Sequence, residues 1–179
     1  MIEPASQVTL LLMDVDGVLT DGRLFHLPDA QGRMVETKGF DSQDGLALRW
    51  LRDAGIETGV ISGRISLAVE ERARQLDIAY VYQGHLEKVP ILEEILRKSG
   101  KRPEEVAYIG DDFTDIVIMR RVGWAVAPAN ARPEVQAAAH LVTKASGGRG
   151  AVRETAEAIL KARGLWDAIL RKYEAGGNE

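Results

Sequence analysis

Aspartates recur at two places where an apolar run gives way to glycine: Asp14-Val15-Asp16-Gly17 at the end of Val8 to Val15, and Gly110-Asp111-Asp112-Phe113-Thr114-Asp115 after Val106 to Ile109. Residues two apart on a strand point to the same side about 7 Å apart, so Asp14 and Asp16 can converge at a strand tip, with Gly17 freeing the chain to turn away. Carboxylates that close repel unless a divalent cation bridges them or one keeps a proton. Brought to the same sheet edge, the second cluster completes an all-oxygen site for a hard cation, and Mg²⁺ fits best. The plainer alternative makes these aspartates turn residues or helix caps, Asp112 and Asp115 above all. Between the clusters, Ile61-Ser62-Gly63-Arg64 reads as a strand end running into a helix. Free N–H groups and the helix dipole make that a seat for an anion, and Ser62 as a plain N-cap is compatible with it. Lys88 follows a further strand, where an ammonium can neutralise a phosphate or simply stand solvated. The chain has no cysteine, and His26, His85 and His140 lie far apart, which excludes disulfides, cysteine nucleophiles and a local zinc motif.

The elements that must position these groups alternate. Val8 to Val15, Glu57 to Ile61, Ala79 to Tyr82, Val106 to Ile109 and Trp124 to Val126 are short apolar runs, as in strands buried on both faces. Between them Gly45 to Asp53, Ser66 to Leu76, Val89 to Lys98, Thr114 to Arg121 and Pro133 to Ala138 carry helical spacing. This order predicts an α/β fold, a doubly wound, Rossmann-like parallel sheet with its site at the carboxyl ends of the strands. Late helices are expected over about Ala151 to Ala162 and Leu165 to Tyr173. Gly22 to Phe40 breaks the alternation and reads as a β-hairpin around Pro28 to Gly32. It folds down as a lid or pairs with another subunit. The 179 residues suffice for one domain, 1–179. Its 23 Lys+Arg against 27 Asp+Glu offer no broad attraction for nucleic acid or anionic lipid. The longest apolar run falls far short of the roughly 20 residues of a membrane span, and the first residues lack the basic start of a secretion signal. A cytoplasmic protein with frayed ends, Met1 to Gln7 and Ala175 to Glu179, is expected.

The order D-x-D-G, S-G-R, lysine, G-D-D-x-x-D resembles the haloacid dehalogenase-like hydrolase superfamily, most of whose members hydrolyse phosphomonoesters through an aspartyl-phosphate. The resemblance implies Asp14 as nucleophile, Asp16 as general acid/base, Ser62 and Lys88 as holders of the phosphoryl group, and Mg²⁺ held by Asp14, Asp111 and the backbone carbonyl of Asp16. The demand is severe, since phosphate monoester hydrolysis needs on the order of 20 kcal/mol of transition-state stabilisation. Only a surrounding ensemble of metal, lysine, hydroxyl, N–H groups and an in-line carboxylate supplies that. Gly22 to Phe40 has room only for a hairpin, and Ser62 to Lys88 only for one helix and one strand, so the core is cap-less.

The phrases DVDGVLTDG, GFDSQDGLALRWL, ISGR, YQG, VAYIGDD and GGRGAVRE are similar, over about Val8 to Leu160, to the family of 3-deoxy-D-manno-octulosonate 8-phosphate phosphatases. That similarity implies hydrolysis of this sugar phosphate in lipopolysaccharide precursor biosynthesis. It also implies a homotetramer joined through the hairpins, each neighbour closing the site a cap would otherwise close. Sugar binding then falls to Asp41, Ser42, Gln43, Asp44, Gly45, Arg49, Gly63, Arg64, Arg72 and Asp112, beside Asp16 and Lys88. Arg64 and Arg72 are expected two helical turns apart on one face, suited to a substrate bearing a carboxylate; otherwise they and Arg49 are surface arginines. The hairpin is a few residues longer than usual and contains Pro28, and His85 stands where glutamine or a small polar residue is expected. Gly147 to Gly150 is flexible enough to bring Arg149 over an active site, a neighbour's included, or is a linker. Three rivals remain: a phosphatase of a nine-carbon sugar acid, against which Arg64 argues; a phospho-accepting receiver, whose acidic pair precedes its acceptor; and an inactive scaffold, against which the intact motifs argue.

Overall fold

The computed structural model describes residues 4–175. Six parallel strands, β1 (Leu10–Met13), β4 (Glu57–Ile61), β5 (Tyr80–Tyr82), β6 (Val106–Ile109), β7 (Trp124–Ala127) and β8 (Leu141–Val142), pair in the order β5-β4-β1-β6-β7-β8. The other two, β2 (Phe25–Pro28) and β3 (Met34–Thr37), form a separate antiparallel hairpin. The helices are α1 (Ser42–Asp53), α2 (Leu67–Leu76), α3 (Val89–Ser99), α4 (Phe113–Met119), α5 (Pro133–Ala138), α6 (Ala151–Ala162) and α7 (Trp166–Lys172).

Why β1 is a continuous apolar run follows from where its side chains go. Leu11 and Met13 join one core, with Leu48 and Leu51 of α1, Val69 of α2 and Val152 and Ile159 of α6. Leu10 and Leu12 join the other, with Leu92 and Ile95 of α3, Ile118 of α4 and Val135 of α5. Successive residues point to opposite faces, and both faces are covered by helices. This is the expected doubly wound α/β sheet. No helix among the described residues is long and apolar enough to cross a membrane.

Several boundaries differ from expectation. β8 is an unforeseen sixth strand of two residues, paired through Val126↔Leu141 and Ala127↔Val142; a pair of residues carries no periodicity. Pro4–Gln7 is a 3-10 turn with Ala5 buried, not a frayed end; residues 1–3 and 176–179 lie outside the described residues. The helix after β4 begins at Leu67 behind Ser66, as the spacing over Ser66 to Leu76 predicts, so Ile61-Ser62-Gly63-Arg64 runs into a loop rather than straight into a helix. The hairpin turns at Asp29, whose Oδ1 accepts from the N–H groups of Gln31 and Arg33 at 2.9 Å each.

Candidate active site

Met13 of β1 pairs with Ile109 of β6, so the two acidic clusters emerge side by side at the carboxyl edge of the sheet. Gly17 makes the close approach possible: its φ of 93° is left-handed, and a Cβ there would lie 2.1 Å from Asp111 Oδ2. Oxygens of Asp14, Asp111 and Asp115 all lie within 4.8 Å of one another. They bound a cavity of about 440 Å³ that Asp16, Ser62, Gly63, Arg64, Lys88 and Asp112 also line.

Lys88 is no surface residue. It is buried at the head of α3, with Nζ 2.6 Å from Asp14 Oδ1 and 2.6 Å from Asp115 Oδ1, and it donates to the Tyr108 hydroxyl oxygen at 3.1 Å. Burial alone would lower its pKa, but the two carboxylates outweigh that and raise it, so it stays an ammonium. Asp115, whose role the motif left open, is an anchor. Its Oδ2 accepts from the N–H groups of Asp111 and Asp112 at 3.0 and 3.1 Å, and its Oδ1 accepts from the buried Tyr108 hydroxyl at 2.6 Å. One ammonium cannot balance three crowded carboxylates. Burial first, then Asp14 and Asp115, push Asp111 up to about 8, and burial, opposed by Lys88, raises Asp14 to about 6. Hard oxygens short of positive charge are what a hard divalent cation fits. Asp14 and Asp111 are the carboxylates free to hold it, since both oxygens of Asp115 are taken.

Three features were not foreseen. Ser62 does not sit at a helix N-terminus; its Oγ accepts from the Arg64 N–H at 3.1 Å within a loop, so the helix-dipole argument for an anion seat fails while the hydroxyl still faces the cavity. The Asp16 carboxylate does not join the clustered oxygens of Asp14, Asp111 and Asp115; its Oδ1 is 2.5 Å from Nζ of Lys38, just beyond β3. Lys38 had no motif to announce it. Gly147 and Gly148 are clamped rather than swinging: Asn130 accepts from Gly147 N–H at 2.6 Å and donates to Gly17 O at 3.0 Å, and Gly148 N–H donates to Val18 O at 2.9 Å.

A model of haloacid dehalogenase-like hydrolases matches residues 74–153. The 3-deoxy-D-manno-octulosonate 8-phosphate phosphatase of Yersinia pestis is 42% identical over 163 residues, 91% of this chain and 85% of that protein. The chain belongs to that phosphatase family, within the haloacid dehalogenase-like hydrolases. The same phosphatase of Escherichia coli K12 is 40% identical over 167 residues, 93% of this chain and 87% of its own. In structure, the crystallised phosphatase of Moraxella catarrhalis in complex with magnesium ion, phosphate ion and KDO has a TM-score of 0.89 at 38% identity, covering 95% of each chain. That of Yersinia pestis has a TM-score of 0.87 at 41% identity, covering 93% of this chain and 88% of the other.

In this phosphatase several expected sugar-binding residues stand outside the central cavity. Arg64 precedes α2, so it shares no helical face with Arg72. The Arg72 guanidinium donates to Asp41 O at 3.2 Å, stacks 5.8 Å from the Phe40 ring and fills the space over Gly45, lining a separate hollow with Phe40 and Ser42. Asp44 and Gly45 are buried. Asp44 Oδ1 caps α6 by accepting from Arg153 N–H at 2.7 Å, which leaves neither residue in reach of a ligand. Asp41 caps α1, accepting from Gln43 and Asp44 N–H at 2.6 and 3.1 Å. With Ser42, Gln43 and Arg149 it lines a third hollow beneath the hairpin. Arg49 is exposed on α1, near enough to Arg72 to oppose its charge. Asp112 both lines the central cavity and caps α4, accepting from Phe113 N–H at 2.7 Å.

Proposed function

We propose that the protein hydrolyses 3-deoxy-D-manno-octulosonate 8-phosphate to the free sugar acid and phosphate, dependent on Mg²⁺, with the 179 residues working as one domain. The observation that carries this reading is the convergence of Asp14, Ser62, Lys88 and Asp111, from the ends of three neighbouring strands and the head of α3, on one cavity. Asp14 attacks phosphorus and becomes the aspartyl-phosphate; the P–O bond to the sugar breaks, and Asp16 gives the departing oxygen its proton. Asp16 then takes a proton from the water that hydrolyses the intermediate. Lys88 and the Ser62 hydroxyl bind the phosphoryl oxygens. When bound by Asp14, Asp111 and the Asp16 carbonyl, Mg²⁺ supplies positive charge that offsets carboxylate and phosphoryl repulsion. Arg64 supplies a guanidinium for the sugar carboxylate.

The hairpin supports assembly. Phe25, Leu27, Met34 and Val35 are 40–61% exposed, a surface that needs a partner, and the cavity is open to water unless a second copy covers it. A homotetramer in the cytoplasm is the reading, beside a role in lipopolysaccharide precursor synthesis. A panel of sugar phosphates assayed for released phosphate, with and without chelator, tests the activity. Preference for another sugar phosphate, or turnover untouched by chelation, refutes it, and a fully active monomer in light scattering refutes the assembly.

A further inference from the structure

The returning strand of the hairpin delivers a lysine to which the reaction above gives no work. The Lys38 side chain is 1% exposed, with Nζ 2.5 Å from Asp16 Oδ1 and 2.9 Å from Glu36 Oε1. A buried ammonium persists only where carboxylates hold it, and these two come from different parts of the chain: Glu36 from β3, Asp16 from the loop after β1. Half-exposed Arg64 brackets the same pair, 3.9 Å from Asp16 Oδ2 and 3.6 Å from Glu36 Oε2.

The two oxygens of Asp16 are therefore unequal. Oδ1 is committed to a short charge-assisted contact, whereas Oδ2 is beyond hydrogen-bond reach of Arg64, on a carboxylate that lines the cavity. A group that passes a proton to a departing oxygen must keep one oxygen in a fixed place and free of other partners, and rotation of a carboxylate exchanges its oxygens unless one is pinned. We propose that Lys38 is a positioning residue for phosphoryl transfer: it pins Asp16 Oδ1, presents Oδ2 to the leaving oxygen, and so makes the hairpin part of the catalytic geometry. This rests on the acid/base reading of Asp16. The Oδ2–H bond breaks as the departing oxygen takes the proton, and the carboxylate left behind keeps its contact with Lys38.

Lys38→Met removes the charge and keeps the length. Phosphate release is measured on 3-deoxy-D-manno-octulosonate 8-phosphate, whose alkoxide needs a proton to leave, and on p-nitrophenyl phosphate, whose phenolate does not. The expected result is a fall in kcat on the sugar phosphate of about ten- to a hundredfold, with KM and the aryl phosphate kcat changed by less than about threefold. Lys38→Arg recovers part of the loss, and in an Asp16→Asn background Lys38→Met adds nothing, because the two act as a unit. Equal losses on both substrates, a change confined to KM, or a further loss in the Asp16→Asn background overturns the proposal. Asp16→Asn alone losing both substrates equally removes the acid/base reading instead, and the proposal with it. Circular dichroism and light scattering establish that each variant is folded and assembled; should Lys38→Met not fold, Lys38→Gln carries the same comparison.

Discussion

Loading the site with Mg²⁺ should release about one proton at pH 7. Asp111 is raised to about 8, by burial first and then by Asp14 and Asp115, and Asp14 to about 6, by burial against the pull of Lys88. At pH 7 a carboxyl titrating near 8 is roughly nine-tenths protonated and one near 6 roughly one-tenth, and a metal takes the ionised form, so binding expels about one proton in all. Apparent affinity should rise about tenfold per pH unit between about pH 6 and pH 8, more steeply below pH 6 where both carboxyls hold protons, and level off above pH 8. Stability of the metal-free protein carries the matching sign. A carboxyl raised on folding holds a proton that the unfolded chain has already lost, so stability falls as pH climbs from about 4 to about 8, and excess Mg²⁺ removes that slope. Calorimetric titration in phosphate-free buffers of different ionisation enthalpy reads the proton count directly. A heat independent of buffer at pH 7 shows that both carboxylates are already ionised and refutes the account of crowding at this edge.

Asp14→Asn should fold and bind phosphate yet lose turnover by about a thousandfold or more, since an amide cannot attack phosphorus; substantial phosphate release in stopped assays sinks the nucleophile. Arg64→Ala should lower kcat/KM for the sugar phosphate about ten- to a hundredfold, the loss of one charge-assisted hydrogen bond, while sparing p-nitrophenyl phosphate. Arg72→Ala, which unties the head of α1, should instead lower Tm by a few degrees, and equal kinetic losses at both positions count against that division. Gly147→Ala would place a Cβ 1.8 Å from Gly17 O, so it should push the nucleophile loop aside and depress kcat on sugar and aryl phosphates alike; wild-type kcat in the folded variant contradicts the clamp.

Much of the site was legible because it depends on strand ends. Asp14 and Asp111 each follow an apolar run, and once β1 and β6 pair, Met13 against Ile109, their convergence needs no further information. The hairpin was equally plain, since Pro28, Asp29 and Gly32 punctuate it. What stayed hidden depends on partners distant in sequence. Nothing beside Lys38 says that Asp16, 22 residues earlier, receives it, and nothing near Asn130 points to Gly17 or Gly147. Arg64 was misplaced for a local reason: S-G-R looked like a strand end running straight into a helix, whereas Ser62 to Ile65 form a loop, and only Arg72 lies on the helix that the spacing from Ser66 to Leu76 predicts. Asp44 and Gly45 carried the family phrase faithfully but serve packing and the cap of α6.

The place of β1 in the sheet also sets when the enzyme can come into being. It is made before both of its neighbours and lies between β4 and β6, so one of its edges stays bare until residue 109 has been made, and long-range pairing of this kind is slow. The loop it carries waits longer still. Gly17 and Val18 get their remaining contacts from Asn130 and Gly148, and the core beneath is sealed by Val152, Ala156 and Ile159 of α6. A nascent chain therefore carries its nucleophile well before it has the means to use it, and hydrolytic competence waits for α6 to be made.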